Sequence, residues 1–145
     1  MPQEYVVPAR LLAEYFAFIF FAACGVIQMA AAYVRLKGLL FLKRPLPSYI
    51  LGGLLILGAF LWFFLAEERN QRGLEGREQF GFFVLGCLAA LAFSLILSSL
   101  INWRLKPPPN APPKEGMDIL EDMSYFEAVK YSLRRWRGKQ ADDLR

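Results

Sequence analysis

Charged and apolar residues are sharply separated along the chain. Residues 15–34, 45–66 and 79–101 contain no Asp, Glu, Lys or Arg. A helix rises about 1.5 Å per residue, so runs of this length can cross a hydrocarbon core of about 30 Å. The pattern predicts an all-α protein whose residues 1–106 form a transmembrane region, with helices at about 9–34, 47–66 and 79–103. Because the N-terminus lacks a basic start and carries Glu4 and Glu14, we expect the first helix to stay uncleaved.

Small residues recur along one side of each predicted span. In the third span they follow one another every four residues, which places them on one face of a helix. Small side chains let helix backbones approach closely, and membrane helices associate in this way when no hydrophobic effect drives them together. The residues predicted to form the helix-packing faces are Gly25, Gln28 and Ala32, then Gly52 and Ala59, and then Gly86, Ala90, Ser94 and Ser98.

Gln28 is the only strongly polar side chain inside the first predicted span. A polar group in lipid turns inward and bonds to a neighbouring helix. Counting residues from the starts of the first and third spans brings Gln28 close to the depth of Ser94, so we expect Gln28 to meet the Ser94 and Ser98 stripe. A ligand or quinone contact is the alternative. The same count brings Cys24 and Cys87 to similar depth; we expect two free thiols, with a disulfide as the alternative.

The C-terminal part of the chain has a different pattern. Five prolines between residues 107 and 113 predict a stiff linker over 107–116. Apolar residues then recur in steps of three and four, with acidic residues before basic ones, as the helix dipole favours. The sequence predicts an amphipathic helix over 117–138 and a polar tail over 139–145. The apolar stripe, which we expect to dock in a groove of a partner protein, consists of Ile119, Met123, Phe126, Val129, Leu133 and Trp136. A membrane surface and the chain's own loops are the alternative contacts.

Basic residues in short loops set the orientation of membrane spans. The first loop carries four bases and no acid, whereas the second carries three Arg and four Glu. We therefore expect the first loop and the C-terminal helix in the cytoplasm and the N-terminus outside, in a bacterial inner or plasma membrane. Tyr33, Tyr49 and Trp103 would then lie at the cytoplasmic interface, and Leu39–Leu42 would dip into it. The bases expected at anionic lipid headgroups are Arg35, Lys37, Lys43, Arg44, Arg134, Arg135 and Arg137.

The composition argues against several kinds of chemistry. The chain has no His and two Cys, so we expect no haem, no metal site and no other cofactor. It has no glycine-rich phosphate loop and no nucleophile paired with a base, so we do not expect an enzyme. Nine basic and seven acidic residues follow residue 103, and a difference of two is too small to indicate nucleic-acid binding.

These features predict a small non-catalytic subunit that scaffolds or stabilises a larger membrane complex, such as an energy-converting one. Its partners would be other membrane-protein subunits. One alternative is a small homo-oligomeric transporter or channel, for which Gln28, Ser94, Ser98 and Ser99 would line the pore. Another is a membrane anchor that recruits a soluble protein through the C-terminal helix.

Overall fold

The computed structural model describes residues 9–42, 44–65, 76–105 and 116–142, and all regular structure within these ranges is helical. The long helices are α1 (Ala9–Tyr33), α2 (Pro45–Phe64), α3 (Gly76–Ile101) and α4 (Tyr125–Asp142). Two short 3₁₀ helices cover Lys37–Leu39 and Gly116–Glu121. α1, α2 and the Gln79–Ile101 part of α3 are each long and apolar enough to cross a membrane, so the predicted all-α fold with three spans is confirmed.

The helix boundaries differ from the predicted ones by a few residues. α2 begins at Pro45 rather than near Pro47, because the first turn of a helix tolerates a residue without an N–H. α4 continues to Asp142, beyond the predicted end at 138. Apart from Gly116, the predicted proline-rich linker lies outside the described residues.

The three spans are not equally buried. α1 packs against both α2 and α3, whereas α2 and α3 share few contacts with each other. In the most apolar window of each span, 44% of α1 is buried, compared with 17% of α2 and 17% of α3. The outer faces of α2 and α3 are therefore open to lipid or to other proteins.

α1 ends in a Schellman motif, a short pattern of backbone hydrogen bonds that closes a helix. The Leu36 N–H donates to the Ala31 carbonyl at 2.9 Å, and the Arg35 N–H donates to the Ala32 carbonyl at 3.3 Å. Arg35 lies at the left-handed position of this motif, with φ of 60°. Glycine usually occupies that position, because a side chain there is strained.

Replacing Arg35 with Gly is expected to stabilise the protein by about 1 kcal/mol, because the left-handed conformation costs other residues roughly that amount. Arg35→Ala is the matched control, since it removes the same charge and keeps the strain. Thermal unfolding in detergent compares the two variants. Equal unfolding temperatures would contradict the assignment of strain to Arg35.

Candidate functional site

Three polar side chains surround the loop that joins α1 to α2: one lies in each of the first two spans, and one follows directly after the third. We call Gln28, Ser48 and Asn102 the loop clamp; their exposed fractions are 0%, 0% and 5%. The first two lie within α1 and α2, and Asn102 follows directly after α3. The backbone that they contact belongs to the first loop, residues 34–44.

Gln28 bonds to the first loop through both ends of its side-chain amide. Its Nε2 donates to the Leu39 carbonyl at 3.2 Å, and its Oε1 accepts from the Phe41 N–H at 2.9 Å. Irregular backbone at membrane depth is tolerated only where protein groups satisfy its N–H and C=O groups. Gln28 thus replaces the backbone partners that a helix would have supplied.

Asn102 and Ser48 hold the neighbouring residues of the same loop. Asn102 Nδ2 donates to the Leu40 carbonyl at 2.8 Å and to the Ser98 carbonyl at 3.0 Å. The Ser48 hydroxyl accepts from the Leu42 N–H at 3.3 Å and donates to the Leu42 carbonyl at 3.1 Å. The loop backbone between residues 39 and 42 is therefore bonded to α1, to α2 and to the residue that follows α3.

A segment that we call the C-terminal cap, residues 116–128, covers the outside of the first loop. Ile119, Leu120, Met123 and Ala128 of the cap form one buried cluster with residues 31–40 of α1 and the first loop. Gly38 lies directly against the carbonyl oxygens of Met123 and Leu120. The cap also reaches α3, because the Phe126 N–H donates to Ser99 Oγ at 3.3 Å. The first loop and the cap are thus on the same side of the spans, as three crossings require.

The two hydrogen bonds of Gln28 go to the first loop, whereas we expected its partners in the Ser94 and Ser98 stripe. Contact of Gln28 with the stripe itself stays a prediction. Ile19 packs against Gly86, and Cys24 Sγ lies 4.0 Å from Ser94 Oγ, so α1 is shifted by about one turn from the register assumed from the span starts. The shift brings Gln28 closer to the level of Ser98 than to that of Ser94. Gln28 lies five residues before the end of α1, which is about 8 Å. From there its amide reaches the loop backbone.

The predicted C-terminal helix is also corrected, because the segment contains two helices. The 3₁₀ helix Gly116–Glu121 is followed by a turn, and α4 begins only at Tyr125. Ile119 and Met123 are each 8% exposed and pack against the chain's own first loop, so they are not part of a docking surface. Phe126, Val129, Leu133 and Trp136 stay exposed on α4.

The prediction that Leu39–Leu42 dip into the membrane interface is corrected for two of these residues. Leu39 is 8% exposed and Leu40 is 1% exposed, because the cap covers them, whereas Leu42 remains 40% exposed. Part of the apolar stretch that was expected to dip into lipid is instead a protein core.

The other predicted site residues fall into two groups. The nine helix-packing residues are all buried: Gly25, Gln28, Ala32, Gly52, Ala59, Gly86, Ala90, Ser94 and Ser98. The predicted lipid-headgroup residues within the described ranges are exposed: Arg35, Lys37, Arg44, Arg134, Arg135 and Arg137. Lys43 lies outside the described residues. Cys24 and Cys87 are both free thiols.

Sequence reasoning missed Ser48, Asn102 and Gly38. A signal for the first two was present, because each predicted span carries a polar residue near the end that adjoins the first loop or the tail. Gly38 gives no such signal, since a glycine in a loop is ordinary and its close contact with the cap involves distant residues.

Comparison with known proteins gives no indication of function, so the functional argument rests on the structure. No protein-family model matches the chain, and neither the curated proteins nor the solved structures contain a significant match. Within the part of the chain that the structure describes, no group of three or more Cys, Asp or Glu residues could hold a metal ion. The three spans define a multi-pass membrane protein.

Replacing Gln28 with Met, a residue of similar size, should destabilise the first loop by about 3 kcal/mol. The Leu39 carbonyl and the Phe41 N–H would lose their partner, and a buried unpaired polar group costs about 1–3 kcal/mol. Amide exchange over residues 36–42 should become about a hundredfold faster. Ser94→Ala is the control, because Ser94 makes no bond to the loop among the contacts described and should leave this exchange nearly unchanged. If Gln28→Met and Ser94→Ala accelerate the exchange equally, the stripe rather than the loop backbone is the main partner of Gln28.

Proposed function

We propose that the protein is a small non-catalytic subunit that stabilises a larger membrane complex. The observation that carries this proposal is an apolar groove on the outer side of α1 and α2. Its lining residues are Phe21, Leu54, Leu55, Gly58, Ala59 and Trp62. Phe21 is 46% exposed and Leu54 is 61% exposed, so side chains of this protein leave the groove open.

Gly58 is the informative residue in this groove. A Cβ at this position would meet nothing within 4 Å, so packing within the described part of the chain does not require a glycine here. Glycine inside a helix costs roughly 0.5–1 kcal/mol relative to Ala. Close approach of a helix from another protein would explain it, because small residues are enriched where membrane helices meet.

The arrangement of polar side chains supports a structural role more than a channel. Gln28 bonds to the first loop, Ser98 Oγ donates to the Leu95 carbonyl, and Ser99 Oγ accepts from the Phe126 N–H. Ser94 is 0% exposed and faces Cys24. The residues that a channel would need along its pore are therefore buried inside this chain, and Gln28 and Ser99 bond to other segments of it.

Purification in mild detergent of the N-terminally tagged protein tests the proposal. We expect other membrane proteins to co-purify and to remain bound at high salt. Gly58→Leu should lower their recovery without lowering the amount of the tagged protein. Gly53→Leu is the matched control, because Gly53 also has nothing within 4 Å but lies on a different face of α2. A protein that runs alone as a defined homo-oligomer would overturn the proposal and favour a channel.

A further inference from the structure

α4 presents an apolar stripe that its own chain leaves uncovered. Phe126, Val129, Leu133 and Trp136 are 54%, 39%, 52% and 60% exposed. Basic residues border the stripe on one side: Phe126, Val129 and Leu133 line a shallow depression together with Lys130, Arg134 and Arg137. Long basic side chains can extend their charged ends toward lipid phosphates while their stems cover apolar surface.

The start of α4 is fixed at the end of a membrane span. The Phe126 N–H donates to Ser99 Oγ, and Ser99 lies two residues before the end of α3. At the same end of the spans, Tyr33 is 80% exposed and Trp103 is 63% exposed. Exposed Tyr and Trp at the ends of spans are typical of the headgroup layer. The apolar stripe of α4 therefore starts at the level of the membrane surface.

The charge of α4 favours lipid over a protein groove. The acidic residues Asp118, Glu121 and Asp122 precede α4 and belong to the cap. Between Tyr125 and Arg137, α4 carries Glu127 against four bases: Lys130, Arg134, Arg135 and Arg137. Acidic residues near a helix oppose its binding to an anionic surface, but these three are not part of α4.

We propose that α4 lies on the surface of the membrane that contains the three spans, with its apolar stripe among the acyl chains of anionic phospholipid and its bases at the phosphates. A helix with one apolar face and flanking bases binds such a surface through both contacts. This inference goes beyond the proposed subunit role and does not depend on it, since the purified protein alone would show it.

The test uses the full-length protein in nanodiscs of phosphatidylcholine, with or without phosphatidylglycerol. Leu133→Cys places a thiol on the stripe, and Tyr131→Cys places one on another face of α4 as the matched control. The rate of modification by a membrane-impermeant maleimide is measured for each. The unsubstituted protein gives the background, because Cys24 and Cys87 both lie inside the spans.

With phosphatidylglycerol present, we expect the thiol of Leu133→Cys to react about tenfold more slowly than that of Tyr131→Cys, since each base near an anionic surface strengthens binding about fivefold. Protection should weaken in phosphatidylcholine alone and when Lys130, Arg134 and Arg137 are all replaced with Gln. Equal rates at the two positions would overturn the proposal. Equal protection in both lipids would overturn its anionic component. Protection of Leu133→Cys in native membranes but not in nanodiscs would show that a protein covers the stripe instead.

Discussion

Gly25→Val is expected to lower the free energy of unfolding by about 3 kcal/mol or more and to separate α1 from α2. A Cβ at Gly25 would lie 2.6 Å from the Gly52 carbonyl oxygen and 3.1 Å from the Ile56 backbone nitrogen. A clash with a flexible side chain can be relieved by rotation, but a clash with backbone moves the whole helix. Overpacking in a well-packed interior costs roughly 1–3 kcal/mol, and a backbone clash lies at the upper end.

The contact is mutual, which gives the experiment a second variant. A Cβ at Gly52 would lie 2.7 Å from the Gly25 carbonyl oxygen, so Gly52→Val should have a similar effect. The matched control is Gly53→Val, because a Cβ at the adjacent Gly53 would meet nothing within 4 Å. Thermal unfolding in detergent is the measurement for all three. If Gly53→Val is as damaging as Gly52→Val, the loss does not come from the crossing of α1 and α2.

The three spans were predictable because their signal is local. An uncharged run of sufficient length predicts a membrane helix whatever it contacts, and small residues at a spacing of four predict a face. All nine residues assigned to packing faces are buried in the structure. The burial of Ala90 and Ser94, each 0% exposed, illustrates how directly such spacing indicates a face.

The partners of Gln28 could not be predicted, because they depend on the path of the first loop. The offset of about one turn between α1 and α3 leaves Gln28 near the depth of Ser98, so the offset alone does not explain why the amide bonds to the loop. Sequence spacing gives the rotation of a residue around its own helix, but the axial offset is set by contacts such as Ile19 against Gly86. The capture of loop backbone by Gln28 and Asn102 depends on the path of the loop, which helix spacing does not predict.

The C-terminal segment shows a different limit of sequence reasoning. The apolar spacing continues without interruption from Ile119 to Trp136, so the spacing alone predicts one stripe on one helix. The turn before Tyr125 divides it into a buried part and an exposed part. A periodic pattern shows that apolar residues share one face of a helix. Whether that face is buried depends on which other segments of the chain pack against it. Here the first loop lies next to Ile119 and Met123, and these are the only two of the six stripe residues in the buried cluster.

Gly38→Ala is expected to release the C-terminal cap from the first loop while the three spans stay folded. The space beside Gly38 is filled by the Met123 carbonyl oxygen and, 2.8 Å from the position of an added Cβ, by the Leu120 carbonyl oxygen. Both oxygens belong to the cap backbone, so relief of the clash requires the cap to move away. The cluster of Leu39, Leu40, Ile119 and Met123 would then lose much of its burial, at a cost of about 3 kcal/mol.

Amide exchange over residues 117–128 measures this release and should become about a hundredfold faster. Gly81→Ala is the matched control, because a Cβ at Gly81 in α3 would meet nothing within 4 Å, and it should leave the exchange of the cap unchanged. Exchange within α1 and α2 should stay slow in both variants, since the crossing at Gly25 and Gly52 does not involve the cap. Unchanged cap exchange in Gly38→Ala would show that the first loop and the cap are not held in this close contact. Faster exchange throughout the spans would instead mean that the packing of the spans depends on the cap. That result would contradict the expectation that the spans stay folded.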